Sequence, residues 1–178
     1  MPHQDRPKVI VISGTPGTGK STLAKKLSLS KYWKLIEINK YVKRYDLDDG
    51  YDKARGSLIV NPERLSKALV KTINKDSASK VIIIEGHLAH FLPKDMVDLC
   101  VITTANLSSL ANRLAGRGYP DHKVRENVDS EIFEVCLSEA RDLGHNILIL
   151  DTSNISVGES KKKILAKFTA ISKIKKSE

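Results

Sequence analysis

Apolar residues are distributed along this chain in two distinct patterns. In one they are consecutive and short: KVIVIS (8–13), KLIEI (34–38), KVIIIE (80–85), DLCVIT (98–103) and HNILILD (145–151). Such runs, rich in β-branched residues and bounded by glycine or polar turns, predict strands buried on both faces. In the other they recur at three- and four-residue spacing. Leu23, Ala24 and Leu27 share one side of a helix over about 19–30, and Leu65, Ala68, Leu69 and Ile73 share one face of a helix that opens at Asn61-Pro62. A helix to about Asp46 follows the second run, a short one occupies NLSSLANRLAGR, and a longer one covers 122–143 and stops at Gly144. The last helix opens with Ser156 and Glu159 in capping-box spacing and carries Ile164, Leu165, Phe168 and Ile171 as its stripe. The polar, glycine-bearing LDDGYDKARGSLIVN (47–61) reads as a long loop.

Strands alternating with helices, and strands apolar on both faces, predict an α/β fold: a parallel sheet of about five strands between helix layers. At 178 residues the chain suits one domain and can bury about 70% of its unfolded surface without a staple. There is no internal repeat and no low-complexity segment. The lysine-rich end keeps a helical pattern until about Lys175.

Composition narrows the picture further. Cys100 and Cys136 are far apart among apolar neighbours, so they read as buried free thiols, and no Cys/His spacing suggests zinc. That usage fits a reducing compartment. MPHQDRPK has no apolar segment of the signal-peptide kind, and the longest apolar runs, VIVI and VIII, are far too short to span a membrane. The net charge of +9, with seven lysines in the last twenty residues, favours anionic partners, including nucleic acid, and equally suits plain solvated helices.

The turn after the first run, GTPGTGKS (14–21), fits G-x-x-x-x-G-K-[ST] and has the required context, a strand before it and a helix after it. Gly14, Gly17 and Gly19 let the backbone wrap so that N–H groups converge into an anion nest, to which the helix N-terminus adds its positive end. Lys20 suits the β- and γ-phosphates, the Ser21 hydroxyl suits Mg²⁺, and Thr22 suits the α-phosphate. The expected ligand is a nucleoside triphosphate. Guanine is unsupported: after Asn39-Lys40 and Asn74-Lys75, the position that N-K-x-D fills with Asp holds Val42 and Ser77. The TSNIS loop (152–156) is a candidate for adenine contacts through its backbone.

Two further patches carry chemistry. Glu85 ends a strand, where parallel sheets place ligands, and so reads either as a magnesium-shell carboxylate or as a salt-bridged structural glutamate. His87 suits orienting a water or contacting phosphate; His90 has a similar look with less to support it. In RLAGRGYPDHKVRENVDSEIFE, Arg113 and Arg117 are four apart on one helical face and Arg125 lies beyond a turn or lid at GYPDH. Cations on a mobile, glycine-bordered segment are what phosphoryl transfer uses around the moving group.

These patches together resemble a P-loop nucleoside monophosphate kinase and, more narrowly, the adenylate kinase isoenzyme 6 family, which includes the coilin-interacting nuclear ATPase and archaeal and fungal ribosome-assembly relatives. The resemblance rests on GTPGTGKST, on DGYD (49–52), on Glu85 and His87 followed by FLP, and on RGY…EN…EIFEV (117–135). It implies a three-layer P-loop core with a monophosphate-binding insert at about 37–60 and a short lid at about 116–126. It implies ATP contacts at Gly17, Gly19, Lys20, Ser21, Thr22 and Arg117, and catalytic roles for Lys20, Glu85, His87 and Arg117. Mg²⁺ would be held by Ser21 and Glu85. The implied activities are phosphoryl transfer between ATP and AMP, giving ADP, and ATP hydrolysis. The implied partners are a ribosomal protein of the small-subunit platform and possibly ribosomal RNA. The compartment would be cytoplasmic in an archaeon, and nucleus and cytoplasm in a eukaryote. Two positions depart from the family pattern. Glu85 stands where many relatives have Asp. The monophosphate-binding arginine has only Lys43 or Arg44 as counterpart, and an ammonium is a poorer phosphate clamp than a guanidinium fork. A kinase for CMP or a sugar acid, and a nucleotide-gated binding module with little catalysis, are the alternatives.

Overall fold

The computed structural model describes residues 6–53 and 55–174; the first five residues and the tail expected from about Lys175 lie outside them. The five apolar runs form one parallel sheet. Its strands are β1 (Lys8–Ser13), β2 (Trp33–Glu37), β5 (Val81–Glu85), β6 (Leu99–Thr104) and β7 (Ile147–Asp151), in the order β2-β5-β1-β6-β7. Strands this apolar need cover on both faces, and both are covered. On one side α2 (Ile38–Arg44), α3 (Pro62–Lys75) and α6 (Val135–Asp142) bury Val42, Leu69, Ile73 and Leu137 against Val9, Val11, Ile82 and Ile84. On the other α1 (Lys20–Ser28) and α7 (Val157–Ile174) bury Leu23, Leu27, Ile164 and Phe168 against Ile10, Ile12, Ile83 and Val101. The result is the expected three-layer α/β P-loop fold.

Local signals set the helix starts. The Asn61 side chain accepts from the N–H of Glu63 (2.9 Å) and Arg64 (3.1 Å), with Pro62 in the first turn. The box at α7 closes both ways: Ser156 N–H donates to Glu159 Oε2 (2.8 Å) and Glu159 N–H donates to Ser156 Oγ (3.2 Å).

Two expectations are corrected. The supposed loop at 47–61 contains an antiparallel hairpin, β3 (Asp48–Asp52) and β4 (Ser57–Val60). Its strands are short and largely exposed, so they lack the apolar alternation that marks a half-buried strand. The helix expected over 122–143 is two, α5 (Asp121–Ile132) and α6, separated at Phe133 and Glu134, the latter at φ 50°. Val124 and Val128 of α5 pack on Leu110 and Leu114 of α4 (Leu107–Ala115), whereas Leu137 of α6 packs on the sheet. Nine residues of α-helix put Val128 and Leu137 about half a turn out of phase, so one straight helix cannot bury both.

In this strand order the chain leaves β1 in one direction for β2 and later returns on its other side at β6. The carboxyl end of β1 is therefore a topological switch point, where open α/β sheets bind ligands. GTPGTGKS begins there.

Candidate active site

The phosphate loop is held open from beneath. Gly14, Gly17 and Gly19 take φ of 135°, 94° and 92°. At Gly14 a Cβ would lie 2.3 Å from the Thr103 carbonyl oxygen, so no larger residue fits where β1 passes the end of β6. Thr18 Oγ1 donates to Thr15 O (2.8 Å) and meets Thr103 Oγ1 at 2.7 Å, tying the loop to the sheet. The N-terminus of α1 has no side-chain cap and no acidic residue in its first turn, so its N–H groups and positive dipole end are available to an anion.

Lys20 is buried at 7% exposure, and its Nζ donates to the carbonyls of Gly14 (2.7 Å) and Thr15 (2.8 Å). Burial lowers its pKa to about 8, against the opposing pull of the Glu85 carboxylate. Ser21, exposed on the same first turn as Thr22, donates from Oγ to Glu85 Oε1 at 3.0 Å. Glu85 itself is 7% exposed. Sequence reasoning overlooked Glu37, which stands in register with Glu85 at the end of neighbouring β2 and pairs with Lys40. Its signal was the same strand-end position, but it was assigned to the insert.

Gly86 turns the chain away from β5, and His87 stands exposed beyond it with its carbonyl accepting from Ser13 Oγ (3.1 Å). Desolvation, then the positive charges of Lys20 and His90, lower the His87 pKa to about 4; for a side chain this open to solvent the nearby Lys20 cation is the firmer cause. His90 is fully buried, with Nδ1 2.7 Å from Ser13 Oγ and Nε2 2.9 Å from Glu139 Oε2, so it is not a surface contact for a nucleotide.

The arginines separate by role. Arg113 reaches the site: Nη1 donates to Thr152 Oγ1 (3.2 Å) and Gly17 O (3.4 Å), and Nη2 to Thr152 O (3.1 Å). Thr152 Oγ1 in turn lies 2.9 Å from Thr18 O, which sets the TSNIS loop beside the phosphate loop. Arg117 is exposed just beyond α4, close enough for its charge to lower the Lys20 pKa. Arg125 is exposed on α5. Lys43 and Arg44 are exposed on the last turn of α2, with Arg44 stacked 5.6 Å over the Tyr45 ring. The hairpin and α5 touch: Lys123 Nζ donates to Gly56 O at 3.1 Å.

A glycine-rich loop at the switch point of a parallel sheet, with a buried lysine and a hydroxyl–carboxylate pair at its mouth, defines a P-loop nucleotide-binding protein. The chain belongs to the AAA_18 family, described as an AAA domain, whose model matches residues 10–134. It is 33% identical over 155 residues to a protein named "Putative adenylate kinase" from Methanosarcina acetivorans, covering 85% of this chain and 81% of that one. A protein of the same name from Methanocaldococcus jannaschii is 36% identical over 148 residues, covering 83% and 78%. Among solved structures, a gluconokinase from Sinorhizobium meliloti 1021 aligns with TM-score 0.60 at 14% identity, over 93% of each chain. The YorR protein of Bacillus subtilis, in complex with phosphorylated GDP, aligns with TM-score 0.59 at 22% identity, over 89% of this chain and 94% of that one. At these identities the structural likeness speaks to the fold. Among the described residues, no helix is long and apolar enough to cross a membrane.

Proposed function

We propose that this protein transfers the γ-phosphoryl group of ATP to AMP, giving two ADP, and transfers it to water when AMP is absent. The observation that carries the reading is the Ser21–Glu85 contact of 3.0 Å at the rim of the loop that buries Lys20. Gly17, Gly19 and the first N–H groups of α1 bind the β- and γ-phosphates, and Thr22 binds the α-phosphate. Lys20 leaves its loop carbonyls for the phosphate oxygens. Arg117 neutralises charge developing on the moving group, and Arg113 fixes the TSNIS loop against which adenine lies. His87, neutral at pH 7, positions the attacking oxygen, from AMP phosphate or from water. Lys43 and Arg44 meet the monophosphate. Residues 37–60 form the monophosphate-binding insert and 116–126 the lid, and the Lys123–Gly56 contact is where the two meet.

Two oxygen donors this close fit a hard cation, so Ser21 and Glu85 would hold Mg²⁺, which when bound supplies charge neutralisation across the phosphates. The biological setting we infer is maturation of the small ribosomal subunit, with a platform ribosomal protein as partner and ribosomal RNA nearby. The family resemblance and the exposed lysines of α7 support it.

Product analysis tests the chemistry. Incubation of ATP with AMP should yield two ADP for each ATP consumed, and ATP alone should yield ADP and free phosphate. If neither occurs although ATP binds, the second reading takes over: a module in which nucleotide only sets the shape that grips a partner. The basic α7 is the feature that favours it.

A further inference from the structure

Behind the phosphate loop, three side chains from two elements converge. His90 comes from a 3-10 turn at Ala89–Phe91, and Cys136 and Glu139 are three apart on one face of α6. One imidazole nitrogen, the thiol sulfur and a carboxylate oxygen lie within 4.8 Å of one another.

The hydrogen bonding around His90 admits two tautomers. Ser13 Oγ has the His87 carbonyl as an acceptor at 3.1 Å and His90 Nδ1 at 2.7 Å. With the hydroxyl proton on Nδ1, Nε2–H donates to Glu139 Oε2 at 2.9 Å; with it on that carbonyl, Nδ1 carries the ring proton and Nε2 presents its lone pair to the cluster. The second tautomer is the one that a cation between Nε2 and the Glu139 carboxylate selects, and the nearby sulfur adds a third ligand. His145 donates from Nε2 to the His90 carbonyl at 2.7 Å, and its own buried Nδ1 has no partner among the described residues.

We propose that His90 Nε2, Cys136 Sγ and the Glu139 carboxylate form a Zn²⁺ site, with water in the fourth position, that ties α6 to the root of the phosphate loop. Imidazole, thiolate and carboxylate suit borderline-soft Zn²⁺ and do not suit Mg²⁺. Tetrahedral Zn²⁺ places its ligand atoms about 3.3–3.6 Å apart, so the 2.9 Å His90–Glu139 pair opens slightly while the sulfur, within 4.8 Å of both, moves in. His90 has the outer partner that ligating histidines require, the Ser13 hydroxyl, and Ser13 is the residue before Gly14. The way in is from the Glu139 side: its side chain is 41% exposed, whereas that of His90 is 1% exposed. On binding, the thiol proton leaves to solvent and the sulfur coordinates as thiolate. The site is distinct from Ser21 and Glu85 and needs no nucleotide.

The test uses the tag-free full chain with Co²⁺ or Zn²⁺ alone. One equivalent of Co²⁺ should produce a thiolate-to-metal charge-transfer band that Zn²⁺ abolishes by displacement, and Zn²⁺ should raise the melting temperature. Cys136→Ser should remove the band, Glu139→Gln should weaken binding on the order of tenfold or more, and Cys100→Ser should leave both unchanged. Absence of the band in the parent protein, or its persistence in Cys136→Ser, overturns the proposal. Since no arm contains ATP, that failure leaves the kinase reading standing.

Discussion

Ser21 and Glu85, 64 residues apart in the chain, meet through a 3.0 Å hydrogen bond at the mouth of the phosphate loop. Parallel pairing of β1 with β5 sets Ile12 beside Glu85, so the helix that starts just after the loop faces the carboxylate. If both hold one cation, their losses are not independent. Ser21→Ala and Glu85→Gln should each raise the Mg²⁺ concentration needed for half-maximal turnover. The double variant should be little worse than the worse single one, a coupling of about 1–3 kcal/mol. Additive losses would show that the two act separately.

Lys20→Met removes the cation proposed to meet the phosphates while keeping the bulk of the side chain. Turnover should fall by about 10²–10³-fold, equivalent to about 3–4 kcal/mol. The thermal melt should stay level or rise, because the substitution removes a buried charge. A turnover equal to that of the parent would defeat the mechanism.

The pH dependence follows from the same group. In the free protein Lys20 has its pKa lowered to about 8, chiefly by burial. In the proposed mechanism its charged form is the one that attracts a triphosphate, so nucleotide affinity should decline as pH rises through 8. Bound polyanion stabilises the ammonium and raises the pKa again, so binding between about pH 8 and 10 should take up protons. Calorimetry in buffers of different ionisation enthalpy measures that uptake, and Lys20→Met should abolish it.

Leu110 and Leu114 of α4 are fully buried against Val124 and Val128 of α5, and a Cβ at Gly17 would meet the Leu110 side chain at 2.7 Å. This small core therefore supports both the phosphate loop and the segment beyond α4. Leu114→Ala should cost about 2–5 kcal/mol in urea unfolding. Because the cavity lies under the loop, nucleotide affinity should fall as well.

Glu134 holds a left-handed backbone, φ 50°, between α5 and α6, with an ion pair to Arg141 at 3.7 Å on the surface. Glu134→Gly should stabilise the protein by up to about 1 kcal/mol, since the strain relieved exceeds what an exposed pair contributes. A loss in urea unfolding would show that the ion pair outweighs the strain.

The five strands, the phosphate loop and the caps at Asn61 and Ser156 could be read directly from the residues. Each depends on neighbours within one element: a run of β-branched side chains, a glycine spacing, a polar residue one turn before an apolar stripe. The hairpin at Asp48–Val60 was not legible, because two short exposed strands paired mainly to each other leave no hydrophobic period. The break at Glu134 was hidden for the opposite reason. The helical pattern continues through it, and only the different packing partners of Val128 and Leu137 require the turn.

Side-chain meetings across the fold were decided by tertiary structure alone. Glu37 falls beside Glu85 because β2 pairs with β5 in one particular register. His90 reaches Cys136 and Glu139 because the end of α5 redirects α6 across the sheet. Sequence periodicity records which face of an element avoids water, whereas the choice of facing element depends on strand order and helix phase, which are settled only when all the layers pack together.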